Sequence, residues 1–281
     1  MDAIVQAQID PVSRHGDAGQ EHGDQLLLTS CQSENRAIVI EVGMDVEQPR
    51  ARAERLRERI DRRLISALGE VRNGFQREQH GITLSGMREY YDARAPEYDD
   101  WYLGRGLFNK RERLGWKREL TALERALASL PFAHTLDVAC GTGFLTRHLP
   151  GEVVGLDQSE RMLEIARERV PTATFFEGDA FELPFADGAF ERVFTAHFYG
   201  HLDQSERTLF LAEAARVAPE LVVCDAALRR DREREKMQER ILEDGSSWQV
   251  YKRFFGAEEL AAELGGGEVI FAGDWFVVVR S

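Results

Sequence analysis

Two carboxylates and a pair of glycines are the residues of this chain whose types and spacing could do chemistry. Asp137 stands four residues before the first glycine of Asp137-Val-Ala-Cys-Gly-Thr-Gly143, and Asp157 closes the apolar run Val153-Val-Gly-Leu-Asp157. Gly141 and Gly143 let a ligand approach the backbone at a tight turn, where free N–H groups are expected. Asp157, at the end of a second strand, is placed to accept both hydroxyls of a ribose. Asp137 would repel a pyrophosphate, yet it can accept hydrogen bonds from an ammonium group. The pattern describes a pocket for a nucleoside that carries positive charge.

The elements that must position these groups are legible as an alternation of apolar runs. Strands are expected at about 135–140, 152–157, 172–177, 190–196 and 219–226, with helices at 143–149, 159–169 and 203–217 between them. A longer helix, about Lys110 to Leu130, leads in and is stopped by Pro131. Such alternation implies a parallel sheet with right-handed crossovers. The tail departs from it. Arg229–Glu243 reads as a strongly charged helix and Ala257–Leu264 as another, and then Glu268–Ala272 and Trp275–Val279 are separated only by Gly273-Asp274. Strands that close together can pair only as an antiparallel hairpin. The expected fold is α/β: a Rossmann-like, mostly parallel seven-stranded sheet with a C-terminal antiparallel hairpin and helices on both faces.

A dinucleotide site would want a third glycine at position 146, where this chain has Thr146. The residues favour S-adenosylmethionine, with a dinucleotide or a purely structural turn as the other readings. Asp137-Val-Ala-Cys-Gly-Thr-Gly143 resembles motif I of the class I S-adenosylmethionine-dependent methyltransferases, with Ala139 where the motif usually carries its first glycine. The resemblance, to the small-molecule enzymes of the ubiquinone/menaquinone-biosynthesis type, extends to the cap-like Tyr90-Tyr-Asp-Ala-Arg-Ala-Pro-Glu-Tyr98 and covers about Met87 to Ser281. It implies that Asp157 binds the ribose, that Gln158 passes the adenine edge, and that Asp179 receives the adenine amino group while Ala180 offers its backbone. It also implies that Ala196, ending the fourth strand, lies beside the methionine portion. Asp137, Ala139, Gly141 and Gly143 complete the expected cofactor pocket. Tyr91 is the preferred aromatic contact, since a ring face attracts a sulfonium.

Methyl transfer from a sulfonium needs an oriented acceptor and a dry site, and a base only if the nucleophile carries a proton. The resemblance points to His201 as that base or as an acceptor-orienting group, with His197 competing for the role. Residues 229–255, with Trp248, Tyr251, Phe254 and Phe255, are the candidate acceptor lid. No adenine-N6 or cytosine-C5 methylase signature occurs, and no acids cluster at magnesium spacing, so a metal-free transfer to a small molecule is expected. Two rivals stay open on sequence alone: an NAD(P)-dependent oxidoreductase, and a non-catalytic module that keeps the S-adenosylmethionine pocket.

The rest of the chain bounds these readings. A formal net charge of −13 argues against nucleic acid as partner. Cys31, Cys140 and Cys224 are too few and too scattered for a disulfide framework, which suits a cytoplasmic location. No secretory signal and no membrane-spanning run is evident. Residues 1–86 read as an extension, polar and acidic to about residue 46, with a charged helix near 51–72 whose Leu56, Ile60, Leu64, Leu68 and Val71 recur at helical spacing. Met87, immediately before the cap-like motif, is an alternative start.

Overall fold

The computed structural model describes residues 84–281. The expected polar extension and the helix near 51–72 lie outside the described residues. A cap comes first: helix α1 (Leu84–Arg94), a 3-10 turn at Ala95–Glu97, and the short helix α2 (Asp100–Leu103). Helix α3 (Trp116–Ala128) follows. It starts later than expected because Gly115, at φ +77, turns the chain in the left-handed region directly before it.

The strands are β1 (Ala133–Val138), β2 (Gly151–Asp157), β3 (Thr174–Glu177), β4 (Arg192–Ala196), β5 (Glu220–Ala226), β6 (Glu235–Ile241), β7 (Ser247–Arg253), β8 (Glu268–Ala272) and β9 (Phe276–Arg280). Seven of them form the central sheet, in the order β3-β2-β1-β4-β5-β9-β8. The first five in the chain are parallel, and β9 runs antiparallel to both β5 and β8. The expected seven-stranded, hairpin-ended sheet is what forms. Helices α4 (Glu160–Arg169) and α5 (Gln204–Val217) make crossovers, and α6 (Ala257–Glu263) precedes the final hairpin. The N-terminus of α5 is closed reciprocally: Asp203 accepts from the Ser205 and Glu206 N–H groups, and the Glu206 carboxylate accepts from the Asp203 N–H.

Both faces of the sheet are covered, so strands that are buried twice alternate between two cores. In β9, Val277 and Val279 pack with Phe210, Ala214 and Leu260 on one side, while Phe276 and Val278 pack with Trp116, Leu123 and Leu127 of α3 on the other. Strand order reverses between β1 and β4, which opens a crevice at the carboxyl ends of the strands.

Two expected helices are absent. Only a 3-10 turn, Thr146–His148, occupies the 143–149 stretch. The connection from β1 back to β2 is confined to residues 139–150, near the minimum for joining parallel strands, and its Phe144, Leu145 and Leu149 are consumed by the core beneath. No α-helix therefore starts at the glycine turn. The second correction is Arg229–Glu243. Instead of a helix it contains strand β6, paired antiparallel with β7 in a separate two-stranded ribbon. The charges of β6 alternate, and its inward residues Gln238 and Arg240 are half-buried while Met237, Glu239 and Ile241 are exposed. Gly245, at φ +83 in the connecting turn, is the local signal for a hairpin there.

Candidate functional site

The turn after β1 is built on Asp157. Its Oδ2 accepts the Gly141 N–H at 2.8 Å and its Oδ1 accepts the Ser159 N–H at 2.9 Å, so the end of β2 holds the glycine turn in place. Burial pushes its carboxyl up to about 6, against the pull of these N–H donors. Gly141 and Gly143 lie at φ +54 and +70, as the turn requires. Ala139 shares that left-handed conformation at φ +57, at the position where the resembled motif carries glycine. A Cβ there costs about 1 kcal/mol. Ala139→Gly is accordingly expected to stabilise the fold by at most ~0.6 kcal/mol, after the ~0.4–1 kcal/mol of extra unfolded-state freedom of glycine is subtracted. A melting temperature that falls would refute the strain.

Asp137 is 2% exposed. One oxygen, Oδ2, accepts the Thr146 hydroxyl at 2.6 Å, which explains the residue that stands in place of a third glycine. The other, Oδ1, is buried with no partner. Burial raises this carboxyl to about 8, opposed by the Thr146 bond and reinforced by the nearby Asp157 charge. A buried acceptor without a donor is costly to leave unmade. It suits the ammonium of a methionine moiety, and on this ground the residues present fit S-adenosylmethionine.

Around Asp137 lies a narrow cleft lined by Ala139, Thr146 and Ala196 from the sheet ends and by Tyr98 and Tyr102 from the cap, with a volume of about 10 Å³. That is room for roughly one water. The cap fills the rest. Tyr102 stacks on Phe144 with centroids 4.0 Å apart, Asp99 accepts the Thr142 hydroxyl at 2.6 Å, and Asp92 accepts the Ser159 hydroxyl at 2.6 Å. A nucleoside reaches Asp137 only after this aromatic face shifts.

Beyond Tyr98 a larger cavity, about 1080 Å³, opens between the cap and the ribbon. Tyr91, His197 and His201 line it. The Nδ1 of His201 faces the Tyr251 carbonyl oxygen at 2.7 Å and must donate to it, which leaves Nε2 as the basic nitrogen of the neutral ring. Burial, then the Lys252 charge, depress its pKa well below the ordinary value. His197 is also left-handed, at φ +56, with a buried Nε2 that has no partner. Its ring sits among Trp101, Tyr102 and Phe276, and burial brings it down to about 4.

The remaining expected residues are not brought to the cleft. Asp179 is exposed and turns back to accept the Phe181 N–H at 2.8 Å, and Gln158 is half-buried beyond β2. Ala180 is buried against the core under α5. Groups that sequence reasoning passed over do reach the site. Arg94, inside the cap-like motif, is 7% exposed and lines the large cavity. Lys252 of the ribbon, also on the cavity wall, pairs at 2.5 Å with Asp225 at the end of β5, both wholly buried. The lone signals available were a basic residue within an aromatic motif and one acid ending an apolar strand.

The switch-point crevice, the glycine turn and its two buried carboxylates define the class I S-adenosylmethionine-dependent methyltransferase fold. A family profile described as "Methyltransferase domain" matches residues 135–220, the stretch from β1 to the start of β5. The demethylmenaquinone methyltransferase of Thermotoga maritima is 33% identical over 144 residues, 49% of this chain and 58% of the relative. That of Symbiobacterium thermophilum is 37% identical over 121 residues, 38% of this chain and 45% of the relative. The chain thus spans about half the length of the curated relatives it matches. The solved DhpI-SAM-HEP complex superposes with TM-score 0.56 at 26% identity, covering 72% of this chain and 98% of the other. The DhpI-SAH complex gives TM-score 0.54 at 27% identity, over 68% and 92%. The described domain has the class I S-adenosylmethionine-dependent methyltransferase fold, and its β1-to-β5 stretch matches a methyltransferase domain profile. Among the described residues no helix is long and apolar enough to cross a membrane.

Proposed function

We propose that this chain transfers a methyl group from S-adenosylmethionine to a small-molecule acceptor. The observation that carries the reading is the buried, unpartnered Oδ1 of Asp137 beside a turn that Asp157 holds open. When bound, the cofactor supplies a methyl group on a positively charged sulfur. Everything else is asked of the chain. Asp137 binds the ammonium, Asp157 offers its remaining lone pairs to the ribose, and Tyr91 and Tyr98 close over the methionine end. His201, kept neutral by burial with its proton on Nδ1, orients the acceptor and takes its proton where it has one. The ribbon within residues 229–255 acts as the lid of the acceptor cavity and excludes water. The relatives named above, and the DhpI complex with SAM and HEP, support a small acceptor rather than nucleic acid, as does the acidic chain. A cytoplasmic location belongs to the same proposal, as does the division at about residue 86 between an extension and the catalytic domain.

Asp157→Ala tests it. Losing a charge-assisted contact to the ribose costs ~1.5–3 kcal/mol, so affinity for S-adenosylhomocysteine should drop by about tenfold or more in a folded variant. Wild-type protein should also consume labelled S-adenosylmethionine with some acceptor. Calorimetry showing equal affinity in wild type and variant would end the ribose assignment.

A further inference from the structure

The large cavity is built for an anion. Seven cationic side chains line it against four carboxylates, in a chain whose net charge is −13. Five of these cations are exposed to water or paired elsewhere: Arg111, Arg232 and Lys236 are exposed. Lys252 is neutralised by Asp225, and Arg113 donates to the Trp101 carbonyl oxygen at 2.6 Å. The other two are not. Arg94 donates to the Tyr90 hydroxyl and leaves its buried Nε without a partner. Arg240 donates to the Gln238 side chain at 2.6 Å and likewise leaves Nε buried and unmatched. Neither guanidinium has a carboxylate within ion-pair distance among the described residues, and each repels the other.

The tyrosines support the Arg94 charge, while burial and the neighbouring Arg94 oppose that of Arg240. The rings of Tyr98 and Tyr90 lie 5.2 and 5.6 Å from the Arg94 guanidinium carbon, and such contacts return ~1–2 kcal/mol when desolvated. Taking a guanidinium out of water costs several kcal/mol, and two like charges side by side add to that. Placed at one cavity, the pair is a poor structural element and a good receptor. Arginine is suited to it, since its planar fork matches a carboxylate or phosphoryl group two bonds at a time.

We propose that Arg94 of the cap and Arg240 of the ribbon clamp an oxyanion carried by the acceptor, a carboxylate or a phosphoryl group. This rests on the methyl-transfer reading of the same site and names its substrate class. The two arginines come from the two elements that enclose the cavity. An anion between them therefore draws cap and ribbon together, while the tyrosines and Trp101 cover the body of the acceptor.

The experiment uses the full chain. Calorimetry measures benzoate, phenylphosphonate and inorganic phosphate, with benzyl alcohol and phenol as neutral counterparts, with and without S-adenosylhomocysteine. Wild type is compared with Arg240→Gln and Arg240→Lys. The expected result is saturable binding of an aromatic anion at least tenfold tighter than its neutral counterpart. Arg240→Gln should lose tenfold or more of it, Arg240→Lys should recover part, and affinity for S-adenosylhomocysteine should stay within twofold. Preference for phenylphosphonate assigns a phosphoryl group, and preference for benzoate a carboxylate. Neutral analogues binding as tightly would overturn the proposal. So would an Arg240→Gln variant that loses S-adenosylhomocysteine while holding the anion, since the guanidiniums would then serve the cofactor's own carboxylate. If Arg240→Gln fails to fold, Arg240→Lys and the wild-type ranking of anion over neutral analogue still decide the matter. Wild type that binds anions but no S-adenosylhomocysteine would sink the methyl-transfer reading and leave the anion site standing.

Discussion

Asp137→Asn is expected to make a protein that is more stable and scarcely binds its cofactor. The buried carboxyl releases its proton near pH 8 in the folded chain and near the ordinary 3.8 in an unfolded one. Between those values the folded state holds more protons, so stability is greatest below about pH 4 and is lost as the pH rises through 8. Asparagine is uncharged throughout, and the variant should lose that slope. Its melting temperature should exceed that of wild type most clearly at pH 8. Cofactor affinity should move the other way. The ammonium of S-adenosylmethionine needs the ionised carboxylate, and one charge-assisted bond is worth ~1.5–3 kcal/mol, so a loss of roughly 30-fold is expected. For the same reason wild-type affinity for S-adenosylhomocysteine should strengthen as the pH rises from 6 to 8. Calorimetry and thermal melts across that range test both halves. Unchanged affinity in the variant would remove Asp137 from the site, and a variant less stable than wild type at pH 8 would show that its proton is held elsewhere.

Lys252→Met should do the reverse, damaging the fold first. Asp225 is fully buried and accepts the Gly200 N–H at 2.7 Å and the Ala226 N–H at 2.6 Å, with Lys252 as its counterion. The pair ties the ribbon strand β7 to the end of β5, beside the turn Tyr199–His201. Removing one partner strands a charge, which costs ~3–5 kcal/mol. Against a total of about 5–15 kcal/mol for a typical domain, that brings the protein near unfolding at moderate temperature. Because a neutral pair pays no such penalty, Asp225→Asn together with Lys252→Met should recover most of the loss. Urea melts of the single and double variants make the comparison. A single variant within about 1 kcal/mol of wild type would show that Asp225 is reached by water and that the ribbon is not anchored through it.

The two variants fall on either side of a line between local and distant causes. Asp137, Gly141, Gly143 and Asp157 were legible because the requirement is local: a strand end, a turn with positive φ and a second strand end repeat at fixed spacing wherever this turn is built. The sheet was legible for a similar reason. Short apolar runs between turn residues have few ways to pair, and Gly273-Asp274 allows only one. The expected helix at 143–149 failed because the length of a crossover is set by the distance between strand ends, which no local propensity reports. The expected helix at 229–243 failed because charge density masked a two-residue alternation, whose partner strand β7 lies on the far side of a turn. His201 could be named as a candidate, yet its tautomer depends on the Tyr251 carbonyl, 50 residues along the chain.

The amino-acid order was enough to establish the α/β class and the glycine turn between strand ends that carry Asp137 and Asp157, because each depends on residues close in the chain. The folded molecule alone revealed that Asp157 braces the turn, that the cap leaves room for about one water at Asp137, and that Arg94 and Arg240 face one cavity without counterions. Burial and the pairing of distant charges are properties of packed elements, and the free energy of a charge is set by what surrounds it rather than by what precedes it in the chain.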